Sequence, residues 1–240
     1  MKQPYISISG VTSDEEIRYI AEAFVQSRFA KSVYQPTVGF LMSKSSLNRP
    51  ASNKKAKKDR RTIKLVELPK LLQATSKASL QSVIHYSAHY TEYSEKDVSK
   101  LANRLKEIFN YEDIFAKKLC TTLQLNGPES GYALEQVDDI KESLKGLEVI
   151  LQYRPIEKTD TALANNLVGR EELLENGKED SHSGYPDCLL LDSSKGSGAE
   201  FNPTKKAKLI NYFSKNCSSL GLGVAGGLTP ENVASKVSVI

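Results

Sequence analysis

Apolar and polar positions along the chain follow two periods, one typical of strands and one typical of helices. Residues 5–10, Tyr-Ile-Ser-Ile-Ser-Gly, alternate with a period of two and predict a short strand. Ser13 followed three residues later by Glu16 is the signature of a helix that begins with a capping box. Apolar residues then recur at helical spacing, at Ile17, Ile20, Ala21 and Phe24. The chain therefore opens with a strand, a tight turn and a helix.

The same order repeats along the rest of the chain. Six more strands are predicted, over residues 37–42, 82–88, 119–125, 147–153, 188–191 and 220–225. Helical patterns follow the strands, over residues 65–72, after Ser94, around residues 137–144, and after Asn202-Pro203 and Thr229-Pro230. Pro69 is expected to interrupt or restart the helix over residues 65–72. Residues 188–191 are almost entirely apolar, as a strand buried on both faces should be. Strands that alternate with helices predict parallel βα units.

Two closures of such units compete, a (β/α)₈ barrel and an open doubly wound sheet. The open sheet usually carries a glycine-rich fingerprint after its first strand, where this chain has only Gly10. The glycines cluster late instead, at residues 196–198 and 226–227. Because a barrel often binds phosphate with its late βα loops, the pattern favours an α/β fold of the TIM (β/α)₈ barrel type. Residues 1–240 are predicted to form this barrel as a single domain.

Composition and charge narrow the class of protein. The 240 residues are 39% hydrophobic and 26% charged, and 33 basic minus 29 acidic residues give a net charge of +4, an ordinary soluble profile. No run of about 18 apolar residues predicts a membrane-spanning helix, and the first ten residues lack the apolar region of a signal peptide. The three cysteines, Cys120, Cys188 and Cys217, are isolated, which disfavours disulfides and a zinc site. We therefore expect a cytoplasmic protein without a metal or a membrane partner.

Two candidate site features follow late predicted strands. Gly226-Gly227 comes after the seventh strand and before a helix start, where glycine N–H groups can approach an anion. The competing interpretation is a tight turn without a ligand. Asp192 ends the sixth strand, on the side where barrel enzymes carry out their chemistry. It can donate a proton or position a substrate hydroxyl, or it can simply cap the turn at residues 193–194.

Other polar features are weaker candidates. The one dense basic run consists of Lys54, Lys55, Lys57, Lys58, Arg60 and Arg61. It can bind nucleic acid, acidic lipid or an acidic partner, but no aromatic residue is interleaved with it, so a solvated insertion is the favoured interpretation and nucleic acid is disfavoured. His85 and His89 can act as bases near neutral pH, although a packed or solvated histidine is the more common case.

Six motifs occur in an order that matches one known family. They are Ser7-Ile8-Ser9-Gly10-Val11-Thr12, Gly39-Phe40 followed by Lys44-Ser45 and Arg49, Leu123-Gln124-Leu125-Asn126-Gly127-Pro128-Glu129, Leu189-Leu190-Leu191-Asp192-Ser193, Gly196-Ser197-Gly198-Ala199-Glu200-Phe201-Asn202, and the run from Ala225 to Val233. In this respect the chain resembles the phosphoribosylanthranilate isomerase family of tryptophan biosynthesis. The last motif is intact and quite specific, and the match covers nearly the whole chain.

This resemblance implies a (β/α)₈ barrel that catalyses an Amadori rearrangement of an aldose phosphate amine to a ketose amine, without a cofactor. Asp192 then occupies the position of the general acid, and Arg49 that of the donor to the anthranilate carboxylate. Gly198, Gly226 and Gly227 match parts of the phosphate site. The implied partner is a small phosphorylated sugar-amine substrate, and the protein is expected to be a monomer or a homodimer.

The chain departs from the family pattern at four motif positions. Ser9 stands where the family has its catalytic cysteine, and a serine hydroxyl is a far weaker base unless another base activates it. Ser7 and Ala199 replace lysines, and Asn126 replaces a histidine. These replacements motivate an alternative, a non-catalytic protein on the same fold that binds a phosphate sugar or another partner.

Two further departures concern length. The segments 53–79 and 159–185 are longer than the family usually has, so insertions are expected near residues 50–79 and 159–185. The family continues into an eighth strand after the helix that follows Val233. The chain is therefore expected to end before the eighth strand.

Overall fold

Seven strands and eight helices alternate along the part of the chain that the computed structural model describes, residues 4–27, 33–47, 61–88, 98–126, 132–153, 160–176, 185–192, 202–228 and 232–237. The strands are β1 (Tyr5–Ser9), β2 (Gln35–Met42), β3 (Gln81–Tyr86), β4 (Thr122–Asn126), β5 (Glu148–Tyr153), β6 (Cys188–Asp192) and β7 (Gly221–Ala225). The helices are α1 (Asp14–Gln26), α2 (Lys44–Leu47), α3 (Leu68–Lys77), α4 (Val98–Asn110), α5 (Tyr132–Ser143), α6 (Asp160–Glu175), α7 (Pro203–Asn216) and α8 (Val233–Val237).

The chain forms two compact units. The first consists of residues 1–92 and 99–124, and the second of residues 93–98 and 125–240. β4 lies at the boundary between them in sequence. The single barrel domain over residues 1–240 stays a prediction.

In the first unit the strands follow the order of the chain. β1 pairs with β2 and β2 with β3, both in parallel, and β4 is the next neighbour of β3. An open doubly wound sheet would reverse its strand order and place the fourth strand beside the first. The observed order is the one that a barrel requires.

The core of the first unit lies between its strands and the helices α1 and α3. Val38, Phe40 and Met42 alternate along β2 and are fully buried. Leu68 and Leu72, four residues apart on α3, are fully buried as well. Pro69 stands at the start of α3, directly after a short 3₁₀ turn, so the predicted restart of the helix at Pro69 is confirmed.

The second unit is built in the same way. β5 pairs with β6 and β6 with β7, again in parallel. β6 is buried along almost its whole length, as its apolar sequence predicted. The core combines residues from β5, β6 and the helices α5, α6 and α7 with residues from the connections before β6 and β7. They are Leu134, Leu151, Tyr153, Leu167, Leu189, Leu191 and Phe213, and, from the connections, Tyr185, Cys217 and Leu220.

The structure confirms the predicted α/β fold of parallel strands that alternate with helices, and shifts some boundaries. The fourth strand begins at Thr122 and not at residue 119, because the backbone N–H of Leu119 still belongs to the preceding turn and donates to the carbonyl oxygen of Ile114 at 3.0 Å. Cys120, the next residue, is buried and donates hydrogen bonds to the carbonyl oxygens of Ser82 and Thr122, at 3.3 Å each. Burial raises the pKa of the Cys120 thiol to about 12.

The two segments expected to be insertions contain connecting helices of the fold. α3 lies within residues 50–79, and α6 lies within residues 159–185. The described parts of these segments thus include helices of βα units, and the insertions stay a prediction. All three cysteines are free and buried. None of the described helices is both long and apolar enough to span a membrane.

Candidate functional site

Asp192 is the last residue of β6 and the centre of a polar cluster at the carboxyl ends of the strands of the second unit. Its side chain is buried, with 6% of the residue exposed, although the carboxylate follows four apolar residues. A buried carboxylate requires hydrogen-bond or charge partners, because it has lost its contact with water. Two partners come from neighbouring elements, Gln152 from β5 and Lys206 from α7.

Gln152 holds the carboxylate from the side of β5. Its side-chain amide nitrogen Nε2 donates to Oδ2 of Asp192 at 2.5 Å. Gln152 is the second-last residue of β5, and the register places it opposite Leu190 of β6. The amide therefore holds one carboxylate oxygen of Asp192 in place. The pairing of β5 with β6 sets the position of the amide relative to Asp192.

Lys206 supplies positive charge from the other side. It is 2% exposed, and its Nζ donates to the carbonyl oxygen of Leu191 at 2.8 Å and to that of Ala225. Burial lowers the pKa of Lys206 to about 8, and the nearby charge of Asp192 opposes this effect. The cluster thus contains an ammonium group whose charge is lost just above neutral pH.

The position of Lys206 follows from the start of α7. Pro203 opens the helix, and the backbone N–H of Lys206 donates to the carbonyl oxygen of Asn202 at 3.3 Å. Lys206 therefore lies in the first turn. The side chain at position 213, seven residues further on, is Phe213, which is buried in the core. The lysine thus continues the buried stripe of the helix toward the strand ends.

Gly226 and Gly227 follow β7 directly and lie, like Asp192, at the carboxyl ends of the strands of the second unit. Their φ angles are 90° and 65°, a region that side chains rarely adopt, so both positions favour glycine. Asn232, just before α8, donates from Nδ2 to the carbonyl oxygen of Gly227 at 2.9 Å. Asp192 and Ala225 are opposite each other in the β6–β7 register, so the glycine turn begins one residue beyond the partner of Asp192.

The amino ends of the same strands carry a different kind of polar cluster. Lys141 of α5 forms an ion pair with Asp187 at 2.9 Å and donates to the carbonyl oxygen of Tyr185 at 2.7 Å. Asp187 also accepts from the backbone N–H of Val149 at 2.7 Å. These contacts join helices to strand starts, and in barrels this face serves stability.

Ser9 and its neighbour Gly39 belong to the first unit. Ser9 ends β1 and is opposite Gly39 in the β1–β2 register. A Cβ atom at Gly39 would come within 2.8 Å of the Ser9 hydroxyl oxygen, so the glycine makes room for this side chain. Gly10, with φ of 83°, follows and donates to the carbonyl oxygen of Gly39 at 2.9 Å. His85, also in this unit, is half-buried on β3.

Several predicted residues lie outside the described part of the chain. They are Arg49, Gly198, His89, and the basic run up to Arg60. Of the predicted site residues, the second unit brings together Asp192, Gly226 and Gly227. No group of three or more histidine, cysteine or acidic side chains suited to a metal ion occurs among the described residues.

Sequence reasoning missed two members of the cluster, Gln152 and Lys206. Each carries a signal in the sequence. Gln152 is a polar residue near the end of an otherwise apolar strand, Val149-Ile150-Leu151. Lys206 stands four residues before Ile210 and seven before Phe213, which places a lysine on the apolar stripe of a helix. A polar or charged residue on a buried stripe indicates a partner inside the protein.

Comparison with known proteins gives similarity of fold alone. No family model matches the chain, and no curated protein matches it. A sugar phosphate isomerase/epimerase from Parabacteroides distasonis is 12% identical, with 100% of this chain and 92% of that chain covered and a TM-score of 0.48. Xylanase A of P. fluorescens subsp. cellulosa is also 12% identical, with 91% and 67% covered and a TM-score of 0.47.

A third similar structure is a phospho-2-dehydro-3-deoxyheptonate aldolase from Thermotoga maritima, 14% identical, with 92% of this chain and 59% of that chain covered and a TM-score of 0.40. All three TM-scores lie below 0.5, so these similarities assign neither a family nor an activity to the chain.

Proposed function

We propose that the protein is an aldose–ketose isomerase of a phosphorylated sugar-amine, of the phosphoribosylanthranilate isomerase type. The observation that carries the proposal is the buried Asp192 at the carboxyl end of β6, held by Gln152 and beside the cation of Lys206. Gly226 and Gly227 follow the next strand of the sheet. An acid and a candidate phosphate turn on adjacent strands suit a substrate that carries both a sugar ring and a phosphate.

The chemistry assigned to Asp192 is general acid catalysis. The acid in this step is the protonated form of Asp192: its carboxyl group gives a proton to the ring oxygen of the aminosugar, the bond from C1 to that oxygen breaks, and the nitrogen lone pair forms a C1–nitrogen double bond. A base then removes the proton from C2, which gives an enolamine with a C1–C2 double bond. The enolamine gains a proton at C1 and loses the proton of its C2 hydroxyl group, which forms the C2 carbonyl of the ketose amine. No atom is gained or lost overall, so the sequence of steps needs neither an oxidant nor a co-substrate. Positioned acids of this kind contribute roughly 10²- to 10⁴-fold to the rate.

Ser9 is the residue assigned to the base position, and Arg49 is assigned to the carboxylate of the substrate by the motif resemblance. Gly198 is assigned, with the two late glycines, to the phosphate. A serine hydroxyl requires activation before it can remove a proton at a useful rate. This requirement favours a second candidate function, a phosphate-sugar-binding protein that does not turn over its ligand.

The test is an isomerase assay with N-(5-phosphoribosyl)anthranilate on the wild type and two variants. Asp192→Asn removes the acid and keeps the shape, and we expect its kcat to fall by about 100-fold or more. Asp139→Asn makes the same change on α5 of the same unit, two residues before Lys141, which contacts the amino end of β6, and we expect an unchanged rate.

Three results decide between the candidates. Turnover that depends on Asp192 supports the isomerase. An Asp192→Asn variant that keeps the full rate removes this residue from the reaction. A wild type that binds the substrate without converting it favours the binding protein.

A further inference from the structure

Lys206 is a buried cation at a place in the helix where a positive charge is unfavourable. Burial of an ammonium group costs free energy because the charge loses its hydration. The first turn of a helix adds to this cost, because the helix dipole places partial positive charge there. Lys206 nevertheless lies in the first turn of α7 with 2% of its surface exposed. Neither the stability of the helix nor apolar packing explains a lysine at this position.

The contacts of Lys206 lie at the ends of two neighbouring strands. Its Nζ donates to the carbonyl oxygens of Leu191 and Ala225, which are the residues immediately before Asp192 and Gly226. One ammonium group therefore joins the end of β6 to the end of β7. These contacts thus tie together the backbone just before Asp192 and the backbone just before the Gly226 turn, where the register already pairs Asp192 with Ala225.

We propose that Lys206 is a positioning residue of the candidate site, which holds Asp192 and the Gly226–Gly227 turn at the spacing needed for one phosphorylated ligand. This inference rests on the proposed function, because it takes Asp192 as the acid and the turn as the phosphate site. Lys206 acts through these groups and through its charge. The charged side chain known to act on it is Asp192 on β6, and β7, Gly-Leu-Gly-Val-Ala, has no titratable side chain.

The first experiment needs no substitution. The backbone carbonyl carbons of Leu191 and Ala225 are followed by NMR from pH 6.5 to about 11.5, so that the range covers the ordinary pKa of lysine. Since burial lowers the pKa of Lys206 to about 8, we expect both signals to move with a shared midpoint near that pH. Carbonyl signals that do not respond, or that follow a midpoint near 10.5 as for an exposed lysine, would overturn the assigned contacts.

The second experiment compares Lys206→Met, Lys206→Arg and Lys208→Met in the isomerase assay. A displacement of reacting groups by about 1 Å can cost on the order of 100-fold in rate, so we expect Lys206→Met to lower kcat/KM roughly 10- to 100-fold. Lys208 is exposed on the same helix, and Lys208→Met is expected to keep the wild-type rate. A folded Lys206→Met variant with wild-type kcat/KM would sink the proposal.

Lys206→Arg separates positioning by a cation from general packing. Arginine keeps its charge and its N–H donors at every pH of the assay, whereas Lys206 loses its proton with a pKa of about 8. The wild-type rate is expected to fall between pH 7 and pH 9, and the arginine variant is expected to keep its own rate over this range. If the rate of Lys206→Arg falls between pH 7 and pH 9 as the wild-type rate does, the loss of the Lys206 charge is not the cause of that fall.

A binding measurement makes failure of the proposed function distinguishable from failure of this inference. Inorganic phosphate is titrated into the wild type and the three variants, and the amide signals of Gly226 and Gly227 are followed. If the wild type binds phosphate but has no isomerase activity, weaker binding in Lys206→Met alone still supports the positioning role. Equal binding in wild type and Lys206→Met, or no binding at all, contradicts it.

Discussion

Two aspartates mark the two ends of β6 and differ in what holds them. Asp187, just before the strand, is neutralised by Lys141 and accepts a backbone hydrogen bond from Val149. Asp192, at the other end, is held by the neutral amide of Gln152 and by the charge of Lys206, which is itself shared with two carbonyl oxygens. The first arrangement ties a helix to a strand. The second keeps an acid in place beside a turn that favours glycine.

Glu171 is a second residue whose role is stability. It is buried on α6 and accepts hydrogen bonds from the Ser219 backbone N–H at 2.8 Å, the Ser219 hydroxyl at 2.5 Å and the Ser218 hydroxyl at 3.0 Å. Burial alone raises the pKa of Glu171, but these hydrogen bonds outweigh it, so the pKa lies below its ordinary value of 4.5. A lowered pKa means that the carboxylate stabilises the native state above about pH 4.5, and that this stabilisation is lost as the pH falls through the native-state pKa.

We therefore expect Glu171→Gln to lower the free energy of unfolding at pH 7 by about 1–3 kcal/mol. Urea unfolding of the variant and the wild type at pH 7 and at pH 3.5 measures this, and the difference should shrink at the lower pH. Glu172→Gln is the matched control, because Glu172 is the next residue on α6 and is exposed. A constant difference at both pH values would contradict a role for the charge.

At the scale of single residues, the sequence predicted Asp192 but not the residues that contact it. Asp192 could be predicted because it ends an apolar run, and in barrels functional side chains lie at the carboxyl ends of strands. Gln152 and Lys206 could not be assigned to it, because their contacts join residues that are 40 and 15 positions apart in the chain. The partner of a buried polar residue depends on strand pairing, which a hydrophobic pattern does not specify.

At the scale of elements, local signals predicted where helices begin better than where strands begin. The capping box of α1 is present: the Glu16 backbone N–H donates to the Ser13 hydroxyl at 3.2 Å, and the Glu16 carboxylate accepts from the Ser13 backbone N–H at 3.1 Å. The Asn-Pro start of α7 and the restart at Pro69 are also confirmed. Helix starts depend on neighbouring residues, whereas the start of β4 depends on where the turn that ends at Leu119 releases the chain.

The capping box gives a prediction for the first unit. Ser13→Ala removes the acceptor for the Glu16 backbone N–H, and we expect it to lower the free energy of unfolding by about 1 kcal/mol. Glu15→Gln changes an exposed charge in the same turn and is expected to stay within about 0.5 kcal/mol of the wild type. Thermal and urea unfolding followed by circular dichroism compare the three proteins. Equal losses in both variants would mean that the cap is not the cause.

At the scale of the whole molecule, the alternation of strands and helices predicted the fold class, and the strand order within the first unit supports a barrel type over a doubly wound sheet. The alternation of strands and helices could be predicted because each βα unit is a continuous stretch of sequence. The division into two compact units could not be predicted, because the same alternation of strands and helices continues through both units. Function follows less directly than fold, because one barrel architecture supports many chemistries.

The central claim is that the carboxyl ends of β6 and β7 form the site for a phosphorylated sugar. The most direct measurement is an NMR titration of the protein with ribose 5-phosphate, in which backbone amide signals are followed residue by residue. The account predicts saturable shifts at Asp192, Gly226 and Gly227, and unchanged signals at Asp187 and Ser219 near the amino ends of the same strands. Shifts confined to the amino ends, or no saturable shift at the carboxyl ends, would contradict it.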